Sequence, residues 1–279
     1  MSARTYRDLP TDSTTFYPRL IGTHGAVASN SYLSVNAGVD ILKAGGNAFD
    51  AAVAATLVEG VVNPQMHTIG GECPMLVRLA GESRVISVNG NTAAPMAATP
   101  EAYRARGLAD VPDHGILAAG VPAAFSALMM ALTHWGTMSF KDVSWHAREL
   151  AAKGFPMHSG LRSSHKFGLT VLREKFLSDW PASGRLYLPG GRVPQEGELV
   201  KNPAYARVLD YLAREKDPLA AFYKGEVAAE IAKFSKQRDG LLAREDFERF
   251  VTHREEPAHL RFLDTELVKC GFWSQGPAE

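Results

Sequence analysis

Ser274 comes nearest to a recognisable nucleophile motif in this chain. Its flanking glycines stand at 271 and 276, so it misses the G-x-S-x-G elbow by one position. The nine histidines invite a metal reading. None forms H-E-x-x-H, and His253 and His259 are not spaced to share one helix face. Surface or hydrogen-bonded structural roles suit them better. Cys73 and Cys270 form no C-x-x-C pair, and two cysteines make neither a disulfide framework nor a structural zinc site, so both read as buried free thiols. There is no phosphate loop and no G-x-G-x-x-G fingerprint. Asn89-Gly90-Asn91 reads as a turn. Gly70-Gly71 reads either as a tight bend before a strand or as backbone packed close beside a site. Local spacing therefore supplies no complete catalytic set.

The elements that would position these residues are legible from periodicity and caps. Ser34–Lys43 places Val35, Val39 and Leu42 at helical spacing, and Gly45-Gly46 can end that helix. Asn47 caps a second, alanine-rich helix from Ala48, which should be buried, with its exit marked by Glu59, Gly60 and Asn63-Pro64. Two apolar runs, Met75–Val77 and Val85–Val88, flank a glycine-containing turn and predict a hairpin. Thr99-Pro100 predicts a short helix ending near Gly107, and Pro122 opens an apolar helix that ends before Gly136. Ser139 to Asp142 resembles a capping box and predicts one helix running to Lys153. Further helix is expected within 158–177, followed by an irregular excursion over 181–198. Asn202-Pro203 and Asp217-Pro218 each predict a capped helix, the latter running through Phe222, Val227, Ile231 and Phe234 to Gly240. Arg261–Cys270 reads as a strand joining the hairpin near residue 80 in one antiparallel sheet, and 271–277 as a loop. That sheet would be incomplete, with an edge in need of cover.

The 279 residues suit one large domain or two small ones. Thirty basic residues balance thirty acidic ones, and no basic cluster is interleaved with aromatics. Neither nucleic acid nor an anionic membrane is an expected partner. The apolar stretch 51–62 is interrupted by Glu59 and too short to span a bilayer. Residues 1–20 lack the apolar core of a secretory signal, so a cytoplasmic location is the expectation.

The stretch from Gly25 to Leu76 resembles the opening of the large subunit of γ-glutamyltranspeptidases, which are N-terminal-nucleophile hydrolases. The resemblance continues in order: Gly120-Val121-Pro122 with His134 to Met138, then Ala147 to Phe155, Phe222-Tyr223-Lys224-Gly225, Asp239 to Leu242 with Glu245-Asp246-Phe247, and Trp273 to Pro277 in place of a P-S-S-G-G-like loop. It implies an α+β chain forming the helix-rich part of a four-layer αββα fold with an incomplete sheet. Residues 1–20 would be an N-terminal arm and 21–279 a partial large-subunit domain. It also implies acyl transfer from a small-molecule amide or γ-glutamyl substrate to water or an amine, with no cofactor and no metal. The nucleophile would be a threonine on a C-terminal, small-subunit portion, so no catalytic residue is expected in this chain and the chain alone should be inactive. Thr14-Thr15 do not match that threonine's place in the family order. Two other readings are a non-catalytic scaffold that keeps this half, and an acylase of the same family acting on other amides.

One departure from the family pattern bears on substrate. The family presents an arginine that pairs with the donor's α-carboxylate, a geometry suited to a bidentate ion pair. Anchoring on Ala94-Pro95 puts Asn91 at that arginine, and another family pattern puts Ala93 there. The resemblance therefore marks Asn91, Thr92 and Ala93 as substrate-binding positions, none carrying a charge. Arg78, Arg84 or Arg104 would have to substitute in space. A donor other than glutathione is the expected preference.

Overall fold

The computed structural model describes residues 20–164 and 166–276. The arm expected over 1–20, with Thr14 and Thr15, lies outside the described residues save for Leu20.

Two helices carry the centre. Ser31 caps α1 (Tyr32–Lys43) by accepting the Leu33 amide, so the helix starts two residues before its apolar spacing begins. Asn47 caps α2 (Ala48–Val62) in a reciprocal capping box with Asp50. The alanine-rich α2 is buried on nearly every side, including Val53, Leu57, Val58 and Val62. It packs against α1, against α4 (Ala124–Trp135) and against α6 (Trp145–Lys153). Between α2 and α4 come the hairpin strands β1 (Met75–Arg78) and β2 (Val85–Asn89) and the short α3 (Pro100–Arg104). Phe125 of α4 stacks on Phe222 at 4.7 Å and meets Phe140 edge-on at 5.5 Å, which locks α4 to the later helices.

Four expected elements take a different form. The helix expected from Ser139 breaks at Ser144 into α5 (Phe140–Val143) and α6. After β3 (Phe155–Pro156), α7 (Ser159–Ser163) and α8 (Leu169–Ser178), the supposed excursion contains α9 (Pro181–Tyr187), begun by a proline at its first position. After β4 (Leu199–Val200) and α10 (Pro203–Arg214), the long helix expected from Pro218 divides into α11 (Pro218–Tyr223) and α12 (Glu226–Gln237). Gly225 sits at that break, where a Cβ would lie 2.3 Å from the Ala221 carbonyl oxygen.

The sheet is the fourth correction. Its third strand is not the segment near 265 but β5 (His253–Glu255), which follows α13 (Arg244–Arg249) and pairs Val88 with Arg254 and Asn89 with His253. The order is β1-β2-β5, all antiparallel. Pro257 follows and cannot donate to a ladder, so the chain leaves the sheet. It then forms a separate hairpin of β6 (Ala258–Phe262) and β7 (Thr265–Lys269).

Candidate functional site

The segment 89–93 leaves the end of β2 and crosses the molecule in a constrained path. Asn89 Oδ1 accepts the Asn91 amide at 3.2 Å, closing the turn read from the sequence. Cys73 N donates to the Gly90 carbonyl at 2.9 Å, and Val121 N donates to the Ala93 carbonyl at 2.8 Å. Asn91, Thr92 and Ala93 are thereby brought together on the wall of one cavity of about 400 Å³. Asp246 and Arg249 of α13, and His253 at the start of β5, which pairs with Asn89, line the same cavity.

Asp246 sets the position of α13. Its buried carboxylate accepts Ala243 N at 2.8 Å, capping the helix, and Met96 N at 2.8 Å, tying the helix to the chain just past residue 93. Both Asp246 oxygens are so engaged, and among the described residues no ion pair joins the carboxylate to Arg249, although it lines the same cavity. Among the described residues, Arg249 Nη1 reaches the Met96 sulfur, at 3.2 Å. A thioether is a weak acceptor and carries no charge.

Glu72 faces Asn91 from the other side. With its amide nitrogen turned to the carboxylate, the orientation that satisfies both groups, Asn91 donates to Glu72 Oε1 at 2.7 Å and Oε2 at 3.1 Å. Thr92 Oγ1 donates to the same carboxylate at 2.9 Å. Glu72, Asn91, Trp273 and Ser274 line a second cavity of about 630 Å³, so Asn91 stands between the two. Glu255 holds the tail in place: it accepts Asn89 Nδ2 at 3.0 Å and Trp273 Nε1 at 2.7 Å. Segment 271–276 therefore sits beside the 89–93 turn, although 180 residues separate them in the chain.

Gly70-Gly71 forms the expected bend, with Gly71 N donating to Thr68 O. Its second task is structural. The Gly71 carbonyl accepts Ala123 N at 3.0 Å and Ala124 N at 2.8 Å, anchoring the start of α4. Both cysteines are free, and both are half-buried, not fully buried as expected. Cys73 keeps some residue surface, but it packs against the core and burial pushes its thiol up to about 11.

The arginines offered as substitutes lie elsewhere. Arg78 Nε donates to the Glu82 carbonyl, Arg84 pairs with Glu256, and Arg104 pairs with Glu101. None lines either cavity. Nothing local in the sequence marks Arg249, at the end of a short charged helix, as a cavity residue. Sequence reasoning also passed over Glu72, whose signal was a carboxylate directly after the glycine pair. Among the described residues, no three histidine, cysteine or acidic side chains converge as a metal site. No helix among them is long and apolar enough to cross a membrane.

A family model described as gamma-glutamyltranspeptidase matches residues 34–278. Glutathione hydrolase 2 of Arabidopsis thaliana is 30% identical over 252 residues, which is 89% of this chain and 41% of that protein. The glutathione hydrolase proenzyme of Bacillus subtilis is 31% identical over 241 residues, 85% of this chain and 40% of that protein. The chain thus spans about two-fifths of the length of these curated relatives. Among solved structures, the gamma-glutamyltranspeptidase of Helicobacter pylori superposes with a TM-score of 0.84 at 26% identity, covering 92% of this chain and 73% of that one. The cephalosporin acylase from Bacillus halodurans gives 0.81 at 28% identity, covering 93% and 49%. The architecture is accordingly the helix-rich α+β part of an N-terminal-nucleophile hydrolase fold. By sequence and by fold, the chain belongs to the gamma-glutamyltranspeptidase family.

Proposed function

We propose that this chain forms the helix-rich half of an acyl-transfer enzyme, which hydrolyses or transfers the acyl group of a small γ-glutamyl-type amide. The nucleophile is a threonine at the start of a C-terminal, small-subunit portion that completes the site. Its own α-amine serves as general base for the hydroxyl. Attack on the amide carbon gives an acyl-enzyme and releases the amine, while backbone N–H groups stabilise the oxyanion. Water or an acceptor amine then takes the acyl group. The chemistry so written calls for no metal or organic cofactor.

The observation that carries this reading is the convergence of segment 89–93, Arg249 and His253 on one cavity within a chain of this family. The wall offers binding groups without a paired nucleophile and base. Asn91 is engaged with Glu72 and has no charge, so it cannot meet a donor carboxylate as a forked ion pair. A donor carboxylate must then be met from another direction than residue 91, and donor choice should differ accordingly, with glutathione a weak substrate.

The test compares this chain alone with the chain assembled with its nucleophile-bearing portion. Both are assayed on glutathione, L-γ-glutamyl-p-nitroanilide and a neutral acyl amide. The expected result is no turnover by the chain alone and amide turnover by the assembly, slower on glutathione than on the better donor. Robust turnover by the chain alone would overturn the reading. So would an assembly inert to every amide. Strong glutathione hydrolysis that is lost on Asn91→Ala would overturn the donor assignment.

A further inference from the structure

The 400 Å³ cavity is lined by the charged Arg249 and Asp246 and by the charge-free segment 91–93. Arg249 is the fixed positive charge of that lining. Among the described residues no carboxylate forms an ion pair with it, although that of Asp246 lines the same cavity. Asp246, three residues back on the same helix, spends both oxygens on backbone amides. Glu248 takes Arg244 at 2.9 Å. Glu245, in the usual position for an i,i+4 pair, makes no ion pair with Arg249, whose guanidinium turns to Met96 and the cavity instead. Asn89 and Asn91, which also line the cavity, are held by Glu255 and Glu72 and carry no charge.

An unpaired guanidinium on a concave wall, backed by apolar Met96, Val121 and Phe250, suits a planar anion. We infer that Arg249 is a specificity-determining residue that anchors the free carboxylate of the acyl donor, approaching it from α13 and not from the segment after β2. The inference rests on the acyl-transfer reading for the identity of the ligand as donor. The role of Arg249 is binding, not bond making: it holds one end of the donor while the amide is presented elsewhere.

Two measurements on the assembled protein separate this inference from that reading. The first uses L-γ-glutamyl-p-nitroanilide and its α-methyl ester, which lacks the carboxylate. Arg249→Ala should raise KM for the free acid by roughly tenfold to a hundredfold, with kcat little changed and the ester unaffected. Arg249→Lys keeps the charge but loses the fork and should fall between. Equal losses on acid and ester, or no loss on either, would overturn the inference. The second measurement is binding of L-glutamine and of L-glutamine α-amide by calorimetry. Preference for the acid that Arg249→Ala abolishes supports the anchor even if no amide turns over, in which case the acyl-transfer reading alone fails. Binding of both compounds with equal strength by the unsubstituted protein would sink the anchor and leave catalysis standing.

Discussion

Asp50 shows how a single buried side chain can hold distant pieces of this fold together. It caps its own helix through Asn47 N at 2.8 Å and reaches 87 residues ahead to accept Thr137 N, Thr137 Oγ1 and Met138 N. One carboxylate thus joins the start of α2 to the turn after α4. Burial by itself pushes its pKa up. The hydrogen bonds from Thr137, Asn47 and Met138 together outweigh burial and hold it below the ordinary 3.8. A carboxyl with a depressed folded-state pKa stabilises the fold fully above its unfolded value. It loses that contribution as pH falls through the lower folded value. Asp50→Ala should cost roughly 3 kcal/mol at neutral pH, because four donors lose their acceptor in a buried place. Urea unfolding followed from pH 7 to pH 3 checks both parts. The variant should start with the lower midpoint and show a shallower decline with acid, and parallel curves would refute the linkage. The sequence exposed part of this arrangement, since Asn47 was legible as the cap of α2. The rest was hidden because nothing local marks Thr137 as a donor to residue 50. The same holds at the candidate site, where Asn91 could be singled out but its partner Glu72 and Arg249 come together only in three dimensions.

At the level of elements, the caps were legible and the breaks were not. Asn47, Thr99, Asn202 and Asp217 each accept the backbone amide expected of a cap. The apolar stripe through Phe222, Val227, Ile231 and Phe234 suggested one continuous helix, because helical periodicity survives a short interruption such as Lys224-Gly225. Strand β5 escaped notice for a different reason. His253-Arg254-Glu255 is polar and largely exposed, so its place in the sheet comes from pairing with β2 and not from any alternation of its own. The β1–β2 hairpin was readable, yet its most restricted residue lies just past its end. A Cβ on Gly90 would stand 2.1 Å from the Cys73 carbonyl oxygen and 2.9 Å from Ala127 Cβ, both parts of the packed layer under the sheet. Neither can retreat without separating β2 from α4. Gly90→Ala should therefore lower stability by about 2–3 kcal/mol and shift Asn91 from the cavity wall. Gly81→Ala is the informative comparison. Its φ of 79° carries strain, but its Cβ would meet nothing within 4 Å, so the cost should stay near 1 kcal/mol. Urea midpoints for the two variants decide the matter, and equal midpoints would mean that the Cys73 contact yields easily.

On the scale of the whole molecule, the last hairpin and the tail carry part of the exposed apolar surface. Phe272 is 90% exposed and Leu263 78%, and Leu260 and Phe262 of the β6–β7 hairpin are uncovered as well. Strand β1 is an edge of the three-stranded sheet, and between it and helices α2 and α4 opens a cavity of about 870 Å³ lined by Phe49, Val53, Met75, Val77 and Leu128. A free strand edge next to apolar surface is a template for pairing. The formal net charge of zero supplies no repulsion between copies. If the nucleophile-bearing portion of the proposed assembly covers this surface, two behaviours should change together when it is supplied. The chain alone should bind a hydrophobic dye and scatter light increasingly with concentration at neutral pH. The assembly should do neither. The backbone amides of β1 that point away from β2 should exchange with deuterium freely in the chain alone and become protected on assembly, since edge pairing uses those donors. A common loss of dye binding without protection in β1 would place the partner on the β6–β7 hairpin and not on the sheet edge. A chain that stays monomeric and dye-silent by itself would show that the apolar surface needs no cover, and the two-part assembly would lose its physical rationale.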